Sequence, residues 1–206
     1  LCYTGKPLTF LEAGGHDGIT FSNTYALETS GIAKGIIVEP SIPQYEALVV
    51  NRPHSDCYNL ALDSDLRSKL LSSCGSSNSD ILYATTSNVS PTGSTIDSIT
   101  GLPYIIHQQV QTTTIPALLN THSSLHIDLL SLDIEGSEYD ALKALHPASF
   151  DVGIIEVNTS KAFHSLKCLL QSLGYYVFRY PFSSNELLAL SPSAYSANED
   201  ILQFLA

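Results

Sequence analysis

The residues best placed to do chemistry lie in FLEAGGHDGITFSNTYALE, residues 10–28, and in the apolar run GIIVEP that ends on Glu39 and Pro40. The first segment reads as a buried strand, a glycine turn and the start of a helix. Glycines let the backbone approach a ligand, and a helix start offers unpaired N–H groups. A carboxylate at the tip of the next strand, here Glu39, can accept hydrogen bonds from a ribose diol. Together these features predict a pocket for an adenosine-containing cofactor. The dinucleotide spacing G-x-G-x-x-G fails, because from Gly14 the second and third glycine positions hold His16 and Ile19. The phosphate loop G-x-x-x-x-G-K-[ST] does not occur. S-adenosylmethionine has no pyrophosphate, so it needs less glycine and more hydrogen-bonding side chains. Glu12, Asp17, Ser22, Asn23 and Thr24 supply them. The competing reading is an ordinary α/β turn in which Ser22 or Asn23 only satisfies the helix N–H groups.

The elements that must position these residues alternate. Strands are predicted at 9–13, 35–39, 56–62, 126–133, 152–157 and 175–180, with a last one at 186–190 or 200–205. Helices are predicted over 24–29, 43–51, 65–73, 114–120, 137–144 and 160–173, the last stopped by Gly174. Near-continuous apolar runs separated by helices indicate a parallel sheet covered on both faces. Ligands of such sheets sit beyond the strand C-terminal ends, so Glu39, Asp63, Asp133 and Glu156 are expected to ring one rim. Residues 72–113 are rich in Ser, Thr, Asn and Gly and read as an insertion or substrate loop within a single domain spanning 1–206.

With 206 residues, one α/β domain is the expectation. Nine basic residues against twenty acidic ones, a net charge of −11, argue against nucleic acid and anionic membrane surfaces and favour a neutral acceptor over a phosphorylated one. No apolar run reaches the length of a membrane span and no signal-peptide pattern opens the chain, so a cytoplasmic setting is expected. Four widely spaced cysteines without C-x-x-C fit reduced thiols. The lack of methionine fits a processed product or a module of a longer polypeptide.

The blocks FLEAGGHDGITFSNTYALE, IIVEPSIPQYEALVVNRP and LLSLDIEGSEYDALKAL, in that order, with TTTIPALL and IIEVN around them, resemble the FkbM family of S-adenosylmethionine-dependent methyltransferases. The resemblance implies a Rossmann-like class I methyltransferase fold: a mostly parallel seven-stranded sheet, helices on both faces and one antiparallel strand. It implies O-methylation of a hydroxyl on a glycan or glycoside, and association or fusion with glycosyltransferase domains of a larger glycan-assembly protein. Glu12, Gly14, His16, Asp17, Ser22 and Asn23 would hold the methionine part, and Glu39, with Pro40 and Asp63 nearby, the adenosine. His16 departs from the family pattern, where Asn is common.

Methyl transfer to oxygen requires alignment of the acceptor and removal of its proton. Asp133 is the candidate base, Glu135 can share its task, and Glu156 is a third acid at the same rim. Asp133, Glu156 and Asn158 form a candidate all-oxygen site for Mg²⁺ or Mn²⁺, which would lower the acceptor pKa. The pair His122 and His126 lacks the glutamate of a metalloprotease helix and reads as structural. A non-sugar hydroxyl as acceptor, or a non-catalytic cofactor-binding module of the same fold, are the alternatives.

Overall fold

The computed structural model describes residues 7–74, 85–87, 104–122, 126–180, 183 and 185–198. In chain order these form β1 (Leu8–Ala13), α1 (Tyr25–Thr29), β2 (Ala33–Val38), α2 (Ile42–Asn51), β3 (Asp56–Tyr58), β4 (Ala61–Leu62), β5 (Ser68–Cys74), β6 (Thr85–Ser87) and β7 (Tyr104–Thr113). There follow α3 (Ile115–Thr121), β8 (Ile127–Leu132), α4 (Glu138–Lys143), β9 (Phe150–Glu156), α5 (Ser160–Ser172), β10 (Tyr176–Arg179), β11 (Glu186–Leu190) and α6 (Pro192–Ala197). Seven strands make the main sheet in the order β10–β11–β9–β8–β1–β2–β3. β1, β2, β3, β8 and β9 pair in parallel, and β11 runs antiparallel to both β9 and β10. The alternative last strand at 200–205 lies outside the described residues.

Strand alternation sends side chains to two apolar layers. Leu11, Ala13, Leu130 and Leu132 join Leu118 and Leu119 of α3, Leu142 of α4, and Leu166 and Leu170 of α5. Phe10, Ile37 and Leu129 face the other way, onto Leu48 of α2 with Leu27 of α1 packed beside it. The sheet is thus covered on both faces, as its unbroken apolar runs require. Among the described residues no helix is long and apolar enough to cross a membrane.

Two expectations fail between β2 and α3. The run 56–62 is not one strand. It breaks after Tyr58, where the Asn59 side chain donates to the carbonyls of Glu39 and Pro40, and Ala61–Leu62 leaves the main sheet to pair with β7. The helix expected over 65–73 is instead β5, which pairs antiparallel with β7 and β6 in a second sheet ordered β4–β7–β5–β6. The segment SKLLSSC carries only adjacent leucines, too few for a helical stripe, and a long partner strand captures it. The described parts of the 72–113 stretch therefore build strands of this second sheet.

One ion cluster ties the first half of the chain together. Arg52, the residue that caps α2, has no exposed side-chain surface. Its Nη2 is 2.6 Å from Glu28 Oε2 on α1, and its Nη1 is 3.4 Å from Glu12 Oε2 on β1. It also donates to the Gly18 carbonyl at 3.0 Å, Ser22 Oγ at 3.1 Å and Thr24 Oγ1 at 2.8 Å. Replacing Arg52 by methionine keeps the volume and strands two buried carboxylates. The expected loss is about 3–5 kcal/mol of unfolding free energy, seen as a lower urea midpoint at unchanged slope. Adding Glu12→Gln and Glu28→Gln to that variant should recover much of the loss.

Candidate active site

The register of the main sheet collects the acids that lie far apart in the chain. Ala13 is paired with Val38 and Leu132, Leu132 with Ile155, and Ile155 with Leu187. One step further along the ladder stand Glu39, Gly14, Asp133, Glu156 and Glu186, with Glu156 and Glu186 directly paired. Gly14 sits at the centre of this row with φ of 80°, and a Cβ there would fall 1.7 Å from the Asp133 carbonyl oxygen. Glycine is thus required by the close approach of β8, and its bareness leaves room above the strand ends. The room is a cavity of about 350 Å³, within the range used for small ligands. Six acids line it, Glu12, Glu39, Asp133, Glu135, Glu156 and Glu186, and among the described lining residues there is no lysine or arginine.

The first wall is the loop between β1 and α1. Glu12 is buried and accepts from Ser22 Oγ, the Asn23 N–H and Thr24 Oγ1. Ser22 Oγ in turn accepts from the N–H groups of Thr24 and Tyr25. The N–H groups expected to greet a ligand are therefore already spent within the protein. Asp17 does not line the cavity. Its carboxylate closes its own turn, accepting from the Ile19 and Thr20 N–H groups and the Thr20 hydroxyl. Burial raises its pKa, but these hydrogen bonds outweigh that and hold it near about 2. Asn23 reaches the lining and donates to Ser131 Oγ at 3.0 Å.

The second wall is the β2 end. Glu39 is buried and accepts one N–H on each oxygen, from His16 at 2.9 Å and Ser41 at 2.8 Å, which leaves further lone pairs toward the cavity. Burial raises its pKa against those two bonds. His16 adopts φ of 47° and lines the cavity, and neither ring nitrogen has a hydrogen-bond partner. Its Nδ1 is 3.5 Å from Asp17 Oδ1 and makes only an ionic approach. Pro40 also lines the cavity, its carbonyl held by Asn59 and Gln108. Asp63 departs from expectation: it is fully buried, bonded to Arg67 at 2.9 Å and Lys69 at 2.7 Å, and absent from the lining. It anchors the second sheet because β4 carries it away from the main-sheet rim.

Opposite lies the acid cluster of β8 and β9. The buried Glu138 carboxylate accepts the N–H groups of Ile134 and Gly136, fixing a turn in which Glu135 takes φ of 53° and Gly136 φ of 97°. That turn aims Glu135 at Asp133 and Glu156, and carboxylate oxygens of the three lie within 4.8 Å of one another. Burial, then the charges of Asp133 and Glu138, push Glu135 up to about 7. Glu156 is pushed well above the carboxylate range by burial, by donating a hydrogen bond to Asp133 and by Asp133's charge. Asn158 is exposed and turns its Nδ2 toward Glu156 Oε2 at 3.4 Å, so the close oxygen set is Asp133, Glu135 and Glu156. Sequence reasoning missed Glu186, Ser131 and Phe21 in the lining. Glu186 opens a strand that pairs antiparallel, a relation with no local signal.

Residues 12–204 match the family model described as the methyltransferase FkbM domain. No curated protein matches the chain. Among solved structures, the chain resembles methyltransferase FkbM from Methylobacillus flagellatus KT, with a TM-score of 0.54 at 10% identity over 89% of this chain, which spans 43% of that one. It also resembles the METTL16 MTase domain, with a TM-score of 0.52 at 9% identity, covering 91% of this chain and 61% of that one. These likenesses place the fold among class I methyltransferases.

The crowding of Glu135 and Glu156 has a signed consequence. Both are raised in the folded state, so folding is favoured most below their unfolded value near 4.5 and this favour is lost as pH rises through about 7 for Glu135 and about 9 for Glu156. With a chelator present, the melting temperature should fall between pH 5 and pH 9. Glu156→Gln should remove much of that fall; an unchanged slope in this variant would contradict the crowding.

Proposed function

The chain belongs to the FkbM methyltransferase domain family, and on that premise we propose that it moves a methyl group from S-adenosylmethionine to a hydroxyl of a sugar in a glycan or glycoside. The observation that carries the proposal is one acid-lined cavity with two chemically different ends. Glu39 and His16 offer unused acceptor positions and orphaned ring nitrogens at one end; Asp133, Glu135 and Glu156 crowd the other. The absence of lysine and arginine from the described lining suits a cationic cofactor and disfavours nicotinamide dinucleotide phosphates. S-adenosylmethionine, when bound, supplies a methyl group already activated on a cationic sulfonium.

The residues then have separate tasks. Glu39 accepts the ribose hydroxyls while its bonds to the His16 and Ser41 N–H groups hold it in place. Asn23, its backbone N–H on Glu12 and its side-chain amide on Ser131, lines the cavity on the methionine side. Burial and the neighbouring carboxylates favour the protonated form of Glu156, which eases the crowding around Asp133. Asp133, the exposed member, orients the acceptor hydroxyl and takes its proton, and Glu135 steers it by charge. The same three carboxylates would hold a divalent ion, which would lower the acceptor pKa. A phenolic or polyketide hydroxyl as acceptor uses the same machinery and differs only in what fills the mouth of the cavity.

The test is calorimetric titration with S-adenosylmethionine and, separately, NAD, each with Mg²⁺, with Mn²⁺ and with a chelator, followed by methyl transfer to a panel of methyl glycosides and phenols. Binding of S-adenosylmethionine alone is expected. Asp133→Asn should lower kcat by about 10²–10⁴ while the cofactor Kd stays within a few-fold. Cofactor loss in that variant would show that Asp133 holds the ligand and is not the base.

A further inference from the structure

Phe21 is the most exposed large apolar residue described, at 84% of its surface, and it lines the mouth of the acidic cavity. Its φ is 60°, a left-handed conformation that bulky side chains rarely adopt. Among the described residues only four non-glycine positions have positive φ, and three of them, His16, Phe21 and Glu135, line this cavity. The conformation is imposed from both sides. Before it, the Asp17 carboxylate grips the N–H groups of Ile19 and Thr20. After it, Ser22 and Asn23 are bonded to buried Glu12, and the Ser22 N–H returns to the Ile19 carbonyl. The backbone of Phe21 is thus held between two anchored segments. Local strain maintained by surrounding bonds in this way clusters at sites of ligand contact.

A flat apolar ring that lines the same cavity as Asp133, Glu135, Glu156 and Glu186 combines the two features that a sugar presents in reverse. The C–H face of a pyranose lies against an aromatic ring, and its equatorial hydroxyls donate to carboxylates. We propose that Phe21 is the acceptor platform: the sugar stacks on its ring, which sets the hydroxyl toward Asp133. Phe21 is a positioning residue for the acceptor, outside cofactor binding and proton transfer. The inference rests on the sugar-acceptor reading above and adds the residue that selects the sugar.

The experiment compares the wild-type full chain with Phe21→Asn, which tolerates positive φ but lacks the ring, and Phe21→Tyr, which keeps the ring. Methyl transfer from labelled S-adenosylmethionine is measured over methyl glycosides of common hexoses and 6-deoxyhexoses and over simple phenols. For a glycoside that the wild type methylates, Phe21→Asn should raise KM about tenfold. Its kcat and cofactor Kd should stay within a few-fold, and its melting temperature should not fall. Phe21→Tyr should stay close to wild type. A wild-type KM in Phe21→Asn overturns the platform while leaving the methyltransferase reading intact. Loss of cofactor binding or of thermal stability in Phe21→Asn overturns it too, because the ring would then serve the loop. Transfer to phenols and to no glycoside, or to no acceptor at all, overturns the sugar reading and the platform with it.

Discussion

A single buried guanidinium sets the geometry on which the site depends. Arg52 lies between Glu12 at the end of β1 and Glu28 on α1, and it also holds the Gly18 carbonyl and the hydroxyls of Ser22 and Thr24. Two carboxylates around one cation leave a net negative charge inside the protein, tolerated because hydroxyl and N–H donors take up the remaining lone pairs. The glycine turn, the first helix and the cavity wall are thereby locked to one another. The close approach of backbone and guanidinium extends to Gly18, where a Cβ would lie 2.6 Å from Arg52 Cγ. A wall fixed in this way can hold Phe21 and His16 in conformations that neither would choose alone.

The site itself runs on the opposite electrostatic balance. Around Arg52 the carboxylates have a cation; around Asp133, among the described residues, no lysine or arginine pairs with them. In that second cluster the acids respond by retaining protons, which is why Glu135 and Glu156 titrate high and why the local structure is least comfortable at alkaline pH. Proteins commonly accept such local cost where binding or catalysis requires unpaired charge.

Much of this was legible from local pattern. The strand–glycine turn–helix of residues 10–28, the acid after β2 and the glycine stop at Gly174 are local signals. The structure places the corresponding elements where the pattern expects them, as in α3 and α5, whose cap side chains accept from Ala117 and Ala162. The misread stretch lies between β3 and β7, where short apolar runs carry no clear period. There a long partner strand decided between helix and strand. Asp63 followed the same error: reading 56–62 as one strand put its next residue on the main rim, whereas the break at Asn59 carried it to Arg67 and Lys69.

The sequence by itself determined the fold class and put Glu39, Asp133 and Glu156 at strand ends, because periodicity, turn glycines and acids at strand ends are encoded within a few residues of one another. It also anticipated that Glu39, Asp133 and Glu156 share one rim; only the tertiary structure took Asp63 off that rim and brought Glu186 to it. Inter-strand register brings Glu39, Asp133, Glu156 and Glu186 into one row around Gly14, and register depends on the pairing of segments well separated along the chain, β1 with β8 across more than a hundred residues. The tertiary structure also decided which acids are neutralised. Arg52 reaches Glu12 and Glu28 only after α2 has packed on the sheet, and charge balance is a property of distances in space that no spacing along the chain contains.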